Sequence, residues 1–252
     1  MSKVMRGRYL AAVALMAVSV TACGSEHDGG APPAKATGGQ DTERNARVLS
    51  QRQLEDAVVD AHDLPGVQVE EIGMGTGGVG NGVVHAARRT DTAPSSCAPV
   101  SAAVDGASGY APTGSVQRTA GRKGHSAILT LVSYRPADSA HVISELRTAL
   151  KSCKGYTAGP LKTAYEDVEA TDAPPRGDDR VAFRLNLILE PDEDALPDEG
   201  VLKTPVSVIA LRHGSTLATY QMISDSPEKP PSIPTDLIDA QSKVLDAAAR
   251  TR

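Results

Sequence analysis

Residues 125–155 read HSAILTLVSYRPADSAHVISELRTALKSCKG, and two hydrophobic periods meet within them. His125 to Arg135 is an apolar, β-branched run with the look of a strand. Just upstream, Ser115 to Ala120 has the same character, and Gly121-Arg122-Lys123-Gly124 between them makes the pair a β-hairpin. From Asp138 the period changes to that of a helix, with Ile143, Leu146, Leu150 and Cys153 on one face. Asp138 is expected to cap this helix, which should run to Lys154, and Gly155 to end it in a left-handed turn.

Working outward, Ser50-Gln51-Arg52-Gln53 forms a capping box, with Leu49 and Leu54 as its hydrophobic staple. The helix it opens should bury Leu54, Ala57, Val58 and Ala61 and stop at Leu64-Pro65-Gly66. Strands are expected over 67–74 and 83–89, separated by the glycine-rich stretch 73–82, with a helix over 95–104. Downstream, strands are expected over 161–169 and 180–190, the latter with Val181, Phe183, Leu185, Leu187 and Leu189 on one face. Residues 206–212 and 216–223 should pair across His213-Gly214-Ser215, and a last helix should open at Pro234-Thr235, with Leu237, Ala240, Val244 and Ala248 facing inward. Strands joined by short turns cannot be parallel. The expected class is therefore α+β: a largely antiparallel sheet with helices packed on one face.

The N-terminus carries an address. Met1–Arg8 is basic, 9–22 is an uncharged apolar run, and Thr21-Ala22-Cys23-Gly24 closes it. This is the layout of a signal peptide, and the small residues before Cys23 resemble a bacterial lipobox. The resemblance implies cleavage after residue 22, diacylglyceryl modification of the Cys23 thiol and attachment to the outer face of the cell membrane. Ordinary signal cleavage would instead leave Cys23 a free thiol. Residues 24–47 contain no Val, Ile, Leu, Met or aromatic residue. Too poor in apolar surface to offset ordering entropy, they read as a flexible tether with a reach of roughly 25–30 Å. The expected organisation is a signal peptide over 1–22, lipidated Cys23 and tether over 23–47, and an extracytoplasmic domain over 48–252.

Of the three cysteines, Cys97 and Cys153 remain for the domain. Outside the cytoplasm two such residues are expected to pair. A redox or metal role would call for C-x-x-C or a histidine at ligand spacing, and neither is nearby.

The order of elements brings a family into view. It consists of the strand and helix of 125–150 followed by Lys151-Ser152-Cys153-Lys154-Gly155, a Cys97 helix upstream, then the strands over 181–189, 206–212 and 216–223 and a closing helix holding Gln241. Together they resemble the extracellular sensor domain of actinobacterial receptor Ser/Thr kinases of the PknH type and the lipoproteins related to it. The resemblance implies an α+β fold with a cleft over an antiparallel sheet, a disulfide near this spacing, and ligand sensing. A second disulfide of those kinase domains has no counterpart here, and this sequence has neither their kinase nor their membrane span.

Function classes narrow by subtraction. The formal net charge is −5, and removing 1–22 takes Lys3, Arg6 and Arg8 with it, leaving −8. With six Tyr, one Phe and no Trp, such a surface lacks the cations and rings that hold nucleic acid. Gly75-x-Gly77-x-x-Gly80 is not followed by an amphipathic helix and so is no dinucleotide fingerprint. Ser226-x-x-Lys229 sits among prolines, Arg176-Gly177-Asp178 is a loop tripeptide, and the acid-rich stretch 190–199 lacks calcium-loop spacing. No cofactor, metal or catalytic residue is expected. Arg184 and Asn186 alternate off the apolar face of their strand, Arg212 off Ile209 and Leu211, and Tyr220 shares a face with Met222. Arg184, Asn186, Arg212 and Tyr220 are the candidate lining of a polar cleft for a small ligand. The functional expectation is a non-catalytic, sensor-like binding module; the alternative is an envelope scaffold working through protein contacts.

Overall fold

The computed structural model describes residues 46–72, 91–122, 125–189, 191 and 200–250. The leader and nearly all of the tether, the glycine-rich stretch and strand expected over 73–89, and all but Pro191 of the acid-rich stretch 190–199 lie outside the described residues. Among the described residues four α-helices and eight strands follow in order: α1 Gln51–Asp56, β1 Gln68–Glu71, α2 Ala98–Val104, β2 Gly114–Arg122, β3 His125–Ser133, α3 Pro136–Ala149, β4 Tyr156–Ala158, β5 Thr163–Thr171, β6 Asp179–Leu189, β7 Leu202–His213, β8 Thr216–Ile223 and α4 Thr235–Arg250. The strands form one sheet in the order β1-β2-β3-β8-β7-β6-β5-β4. Every pairing is antiparallel. The class is α+β, and the hairpins β2–β3 and β7–β8 stand where the turn residues put them.

The helices pack on both faces of this sheet, which corrects the one-face expectation. Val206, Val208 and Ala210 of β7 face a core shared with α2, α3 and the odd-numbered residues Val181, Phe183 and Leu185 of β6. The alternate residue Leu211 belongs to a second core, together with Leu129 and Leu131 of β3, Ala218, Tyr220 and Met222 of β8, and residues of α1 and α4. The central strands are apolar at even and odd positions alike, so each face needs its own cover. Every residue of both cores lies between Leu49 and Leu245. The fragment 46–252 therefore carries both cores as the described residues build them.

The capping box forms as read: Ser50 accepts from the Gln53 N–H, while Gln53 reaches back to the Ser50 N–H, with Leu49 and Leu54 buried beside it. The helix stops at Asp56, well before Pro65, because α4 supplies a substitute for its next turn. Gln241, fully buried, donates from Nε2 to the Ala57 carbonyl at 2.7 Å and accepts the Val59 N–H at 3.0 Å. Ala61 is consequently exposed. On α4 itself, Leu237, Ile238, Gln241, Ser242 and Leu245 are buried, with Ala240, Val244 and Ala248 flanking them.

Helix α3 begins one turn earlier than expected. Arg135 is its N-cap and Pro136 its first residue, a position where proline loses no hydrogen bond. Asp138 sits in the first turn and accepts from Arg135 Nε at 2.8 Å instead of capping. The regular helix ends at Ala149, with tight turns carrying the chain to Cys153. Gly155 does not take up a left-handed conformation. It is small because the chain passes close to β5: a Cβ there would lie 2.9 Å from the Tyr165 carbonyl oxygen.

Cys97 ends the short 3-10 turn Ser95–Cys97 before α2 and is joined to Cys153, with Cα atoms 5.3 Å apart. Both are buried in the α2–α3 core. Closing a loop over a separation of 56 residues stabilises by about 4 kcal/mol in the chain-entropy model. Cys97→Ser and Cys153→Ser are expected to lose equal stability in denaturant titration, and the double variant no more than either. Additive losses would mean that the two sulfurs act separately.

Candidate functional site

The chain enters the domain at one end of the sheet. Ser215 Oγ, in the β7–β8 turn, donates to the Arg47 carbonyl, and the Leu49 N–H donates to Ser133 Oγ at the end of β3. The tips of β2 and β3 and the last residues of β8 lie at the opposite end. Eight residues of β8 at about 3.4 Å each make that separation roughly 25 Å. Two concavities flank the sheet at this far corner, one on each face, and share Gly121, Arg122, Ile223 and Asp225 at their rims.

The concavity on the α2–α3 face is open and of mixed polarity, with a volume of about 560 Å³. Register builds its floor: Glu70 pairs with Thr119, Thr119 with Ile128, and Ile128 with Gln221. On β7 the same row continues into Val208, which is already under the first core. The floor is thus the part of the face that α2 and α3 leave uncovered.

The second pocket, of about 450 Å³, lies on the α1–α4 face and is mainly apolar. Val67, Ala120, Met222 and Leu237, all buried, form its floor at the margin of the second core. Its wall is the β8–α4 connection, with Pro230, Pro231 and Pro234. Proline fixes its own φ and has no N–H to satisfy, so such a wall is stiff. It is also fastened: Ser207 Oγ donates to the Pro231 carbonyl and Ser224 Oγ to the Lys229 carbonyl, each at 2.7 Å. At the mouth Arg122 pairs with Asp236 at 2.8 Å, beside Asp225 and the exposed Lys229.

The four residues proposed from sequence do not form one lining, and this corrects that expectation. Arg184 and Asn186 do come together on the uncovered part of the α1–α4 face. There they are held by partners: Arg184 by Glu169 at 2.6 Å and Asn186 by Asp167 at 2.9 Å. Lys203 completes the patch against Glu166 at 2.7 Å, a contact that raises its pKa. Tyr220 lies on the same face but beneath α4, fully buried, and burial pushes its hydroxyl pKa up. Arg212 belongs to the other face, paired across the strands with Asp179 and Leu217. The error is one of strand parity: β7 is buried on both sides, so alternation alone does not say which of its residues share a face with Arg184.

Other motifs resolve into structure. Arg176 pairs with Asp239 at 2.8 Å, and Asp178 accepts the Gly214 N–H. Gly177, at φ 70°, presses so closely on β7 that a Cβ would lie 2.5 Å from the Arg212 carbonyl oxygen. The tripeptide is a clasp on the β7–β8 turn. His213 Nδ1 is 2.8 Å from Asp246 Oδ1, the arrangement that orients a general base. The imidazole, however, is buried, and its Nε2 faces Gly177, where even a Cβ would come within 3.4 Å. No substrate can approach it, so the pair is a structural contact between β7 and α4. Among the described residues no group of three or more His, Cys, Asp or Glu could hold a metal ion, and no helix is long and apolar enough to cross a membrane. The proline-walled pocket was the feature missed in the sequence. Its one local signal was the density of prolines over 227–234.

No family model matches the sequence. No curated protein matches it either. Among solved structures the chain is similar to the extracellular domain of PknH from Mycobacterium tuberculosis, with a TM-score of 0.47 and 7% identity over 82% of this chain and 100% of that one. It is also similar to the Rv0999 ortholog from Mycobacterium smegmatis, with a TM-score of 0.32 and 15% identity over 82% of this chain and 96% of the other.

Burial of the tyrosines has a measurable consequence. Burial pushes Tyr134 up to about 12 from the ordinary 10.0 and raises Tyr156 and Tyr220 as well. A phenol ionised more easily in the unfolded than in the folded chain favours unfolding above its unfolded pKa. Stability is therefore expected to hold as pH rises toward 10 and to fall beyond it. With no Trp in the chain, near-ultraviolet absorbance should show these three phenols ionising only as the fold is lost. Ordinary ionisation near pH 10 with structure retained would contradict their burial, Tyr220's included.

Proposed function

We propose that this chain is a lipoprotein anchored through Cys23 to the outer face of the cell membrane. Its domain holds a small molecule at the far corner of the sheet as a non-catalytic, sensor-like module. The observation that carries the reading is the position of the two concavities, at the end of the sheet opposite the point where Arg47 and Leu49 are fastened. A tethered receptor needs its mouth clear of the anchor, and the fastening of Arg47 and Leu49 at the other end of the sheet supports this reading. Pocket volumes near 500 Å³ fall within the range of about 300–1,000 Å³ usual for small-molecule sites. The lipobox-like Thr21-Ala22-Cys23 and the buried cystine suit an oxidising, membrane-bound location.

A second reading, an envelope scaffold, has one observation in its favour. Leu189, Val201 and Leu202 are exposed together where β6 and β7 pair, at the same far end. Scattered apolar residues need no partner, but a cluster invites one.

The two readings separate in one experiment with two arms. Full-length chain carrying Cys23→Ser should move from the membrane to the soluble fraction; retention on membranes counts against lipidation. The 46–252 fragment, screened by thermal shift against small molecules, should gain about 5–10 °C with a ligand present at a hundred times its dissociation constant. If no compound raises the melting temperature while Leu202→Asp abolishes co-purification with an envelope protein, the scaffold reading replaces the receptor.

A further inference from the structure

The proline-walled pocket has the chemistry of a particular ligand class. Its floor is aliphatic: Val67, Ala120, Met222 and Leu237. No aromatic side chain lines it, so it offers no ring on which a sugar or base could stack. Met222 is unbranched and polarisable and adapts to an irregular apolar occupant. The polar groups stand at the mouth: Arg122 is engaged with Asp236, Asp225 adds a second carboxylate that is itself engaged, and the exposed Lys229 forms no salt bridge among the described residues. An apolar, ring-free bottom beneath an available ammonium is complementary to an amphiphile with an aliphatic chain and an anionic head. We infer that this pocket binds a single-chain anionic amphiphile, the chain running down onto Met222 and Leu237 and the carboxylate or phosphate head meeting Lys229. The inference rests on the reading of the domain as a small-molecule receptor and names the ligand class of one of the two concavities at the far corner.

The wall suits this occupant. The connection that forms it is stapled by Ser207 and Ser224, so the pocket exists before the ligand arrives and little ordering cost attends binding. The open concavity across the sheet, floored by Glu70, Thr119 and Gln221, has no such apolar depth and is not assigned this ligand.

Met222 is also the reporter. Of the five methionines only Met74 and Met222 lie within the 46–252 fragment, so a methyl-labelled sample gives two signals, and Met222→Leu assigns them. The probes are octanoate, decanoate, dodecanoate, decyl phosphate, decanol and decyltrimethylammonium, each below its micelle concentration. The Met222 methyl signal is expected to shift saturably with the carboxylates and the phosphate. Each two carbons added should tighten binding about tenfold until the pocket is full. Lys229→Glu, an exposed change that leaves the fold intact, should weaken decanoate and decyl phosphate at least fivefold and leave decanol unchanged, and Lys229→Arg should restore them. If the carboxylate prevails over the phosphate, a free fatty acid is the better occupant; the reverse order indicates a lysophospholipid. Either order supports the anionic amphiphile. Equal affinity for the ammonium probe, no dependence on chain length, or a still Met222 signal overturns it. A still Met222 signal with a polar compound stabilising the fragment overturns this inference alone. If neither series binds at all, the receptor reading falls with it.

Discussion

Burial of the central strands from both sides is the constraint on which the rest of this structure depends. Strand β7 gives Val206, Val208 and Ala210 to one core and Leu211 to the other. Strands β3 and β8 divide in the same way: Val132 against Leu131, Leu217 against Ala218. Neither core closes without these strands, and the strands keep their register only while both covers are in place. The two cores should therefore stand or fall together.

The same constraint leaves the candidate site open. Helices α2 and α3 cover the sheet toward β6 and β7, and α1 and α4 cover it toward β2, β3 and β8. Each face keeps an uncovered part. On the α1–α4 face that part lies over β5 and β6 and is closed chemically by ion pairs, with Arg184, Asn186 and Lys203 all engaged. Exposed pairs of this kind contribute little to stability, but they occupy those three donors. On the other face the uncovered part lies over β1, β2, β3 and β8 and stays concave. At that corner the β8–α4 connection arches over the margin of the second core and encloses the apolar pocket. Apolar depth and the exposed Lys229 coincide there, at the end of the sheet opposite Arg47 and Leu49.

Much of this was legible in the sequence where local rules act alone. The Ser50–Gln53 box, the hairpins across 121–124 and 213–215, the alternation from Val181 to Leu187 and the Cys97–Cys153 bridge all follow from period, turn chemistry and compartment. What escaped were outcomes decided at a distance. Gln241 ends α1 from a helix more than 180 positions away. Gly155 is set by its approach to β5, and the face of Arg212 by a partner strand's register. Where a strand is apolar on both sides, as β7 is, period two stops telling inside from outside. The candidate site suffered most, because a pocket is made where elements end, and a sequence shows its walls as prolines and isolated aliphatic residues without saying that they meet.

Native-state hydrogen exchange tests the shared-strand claim most directly. Amides of α3, in the first core, and of α4, in the second, should reach the same highest opening free energy as those of β3, β7 and β8, while the short edge strands β1 and β4 exchange sooner. If the slowest amides of α4 opened at a distinctly lower free energy than those of α3, with β7 and β8 still protected, the two cores would be separate units, and the coupling through the central strands would not exist.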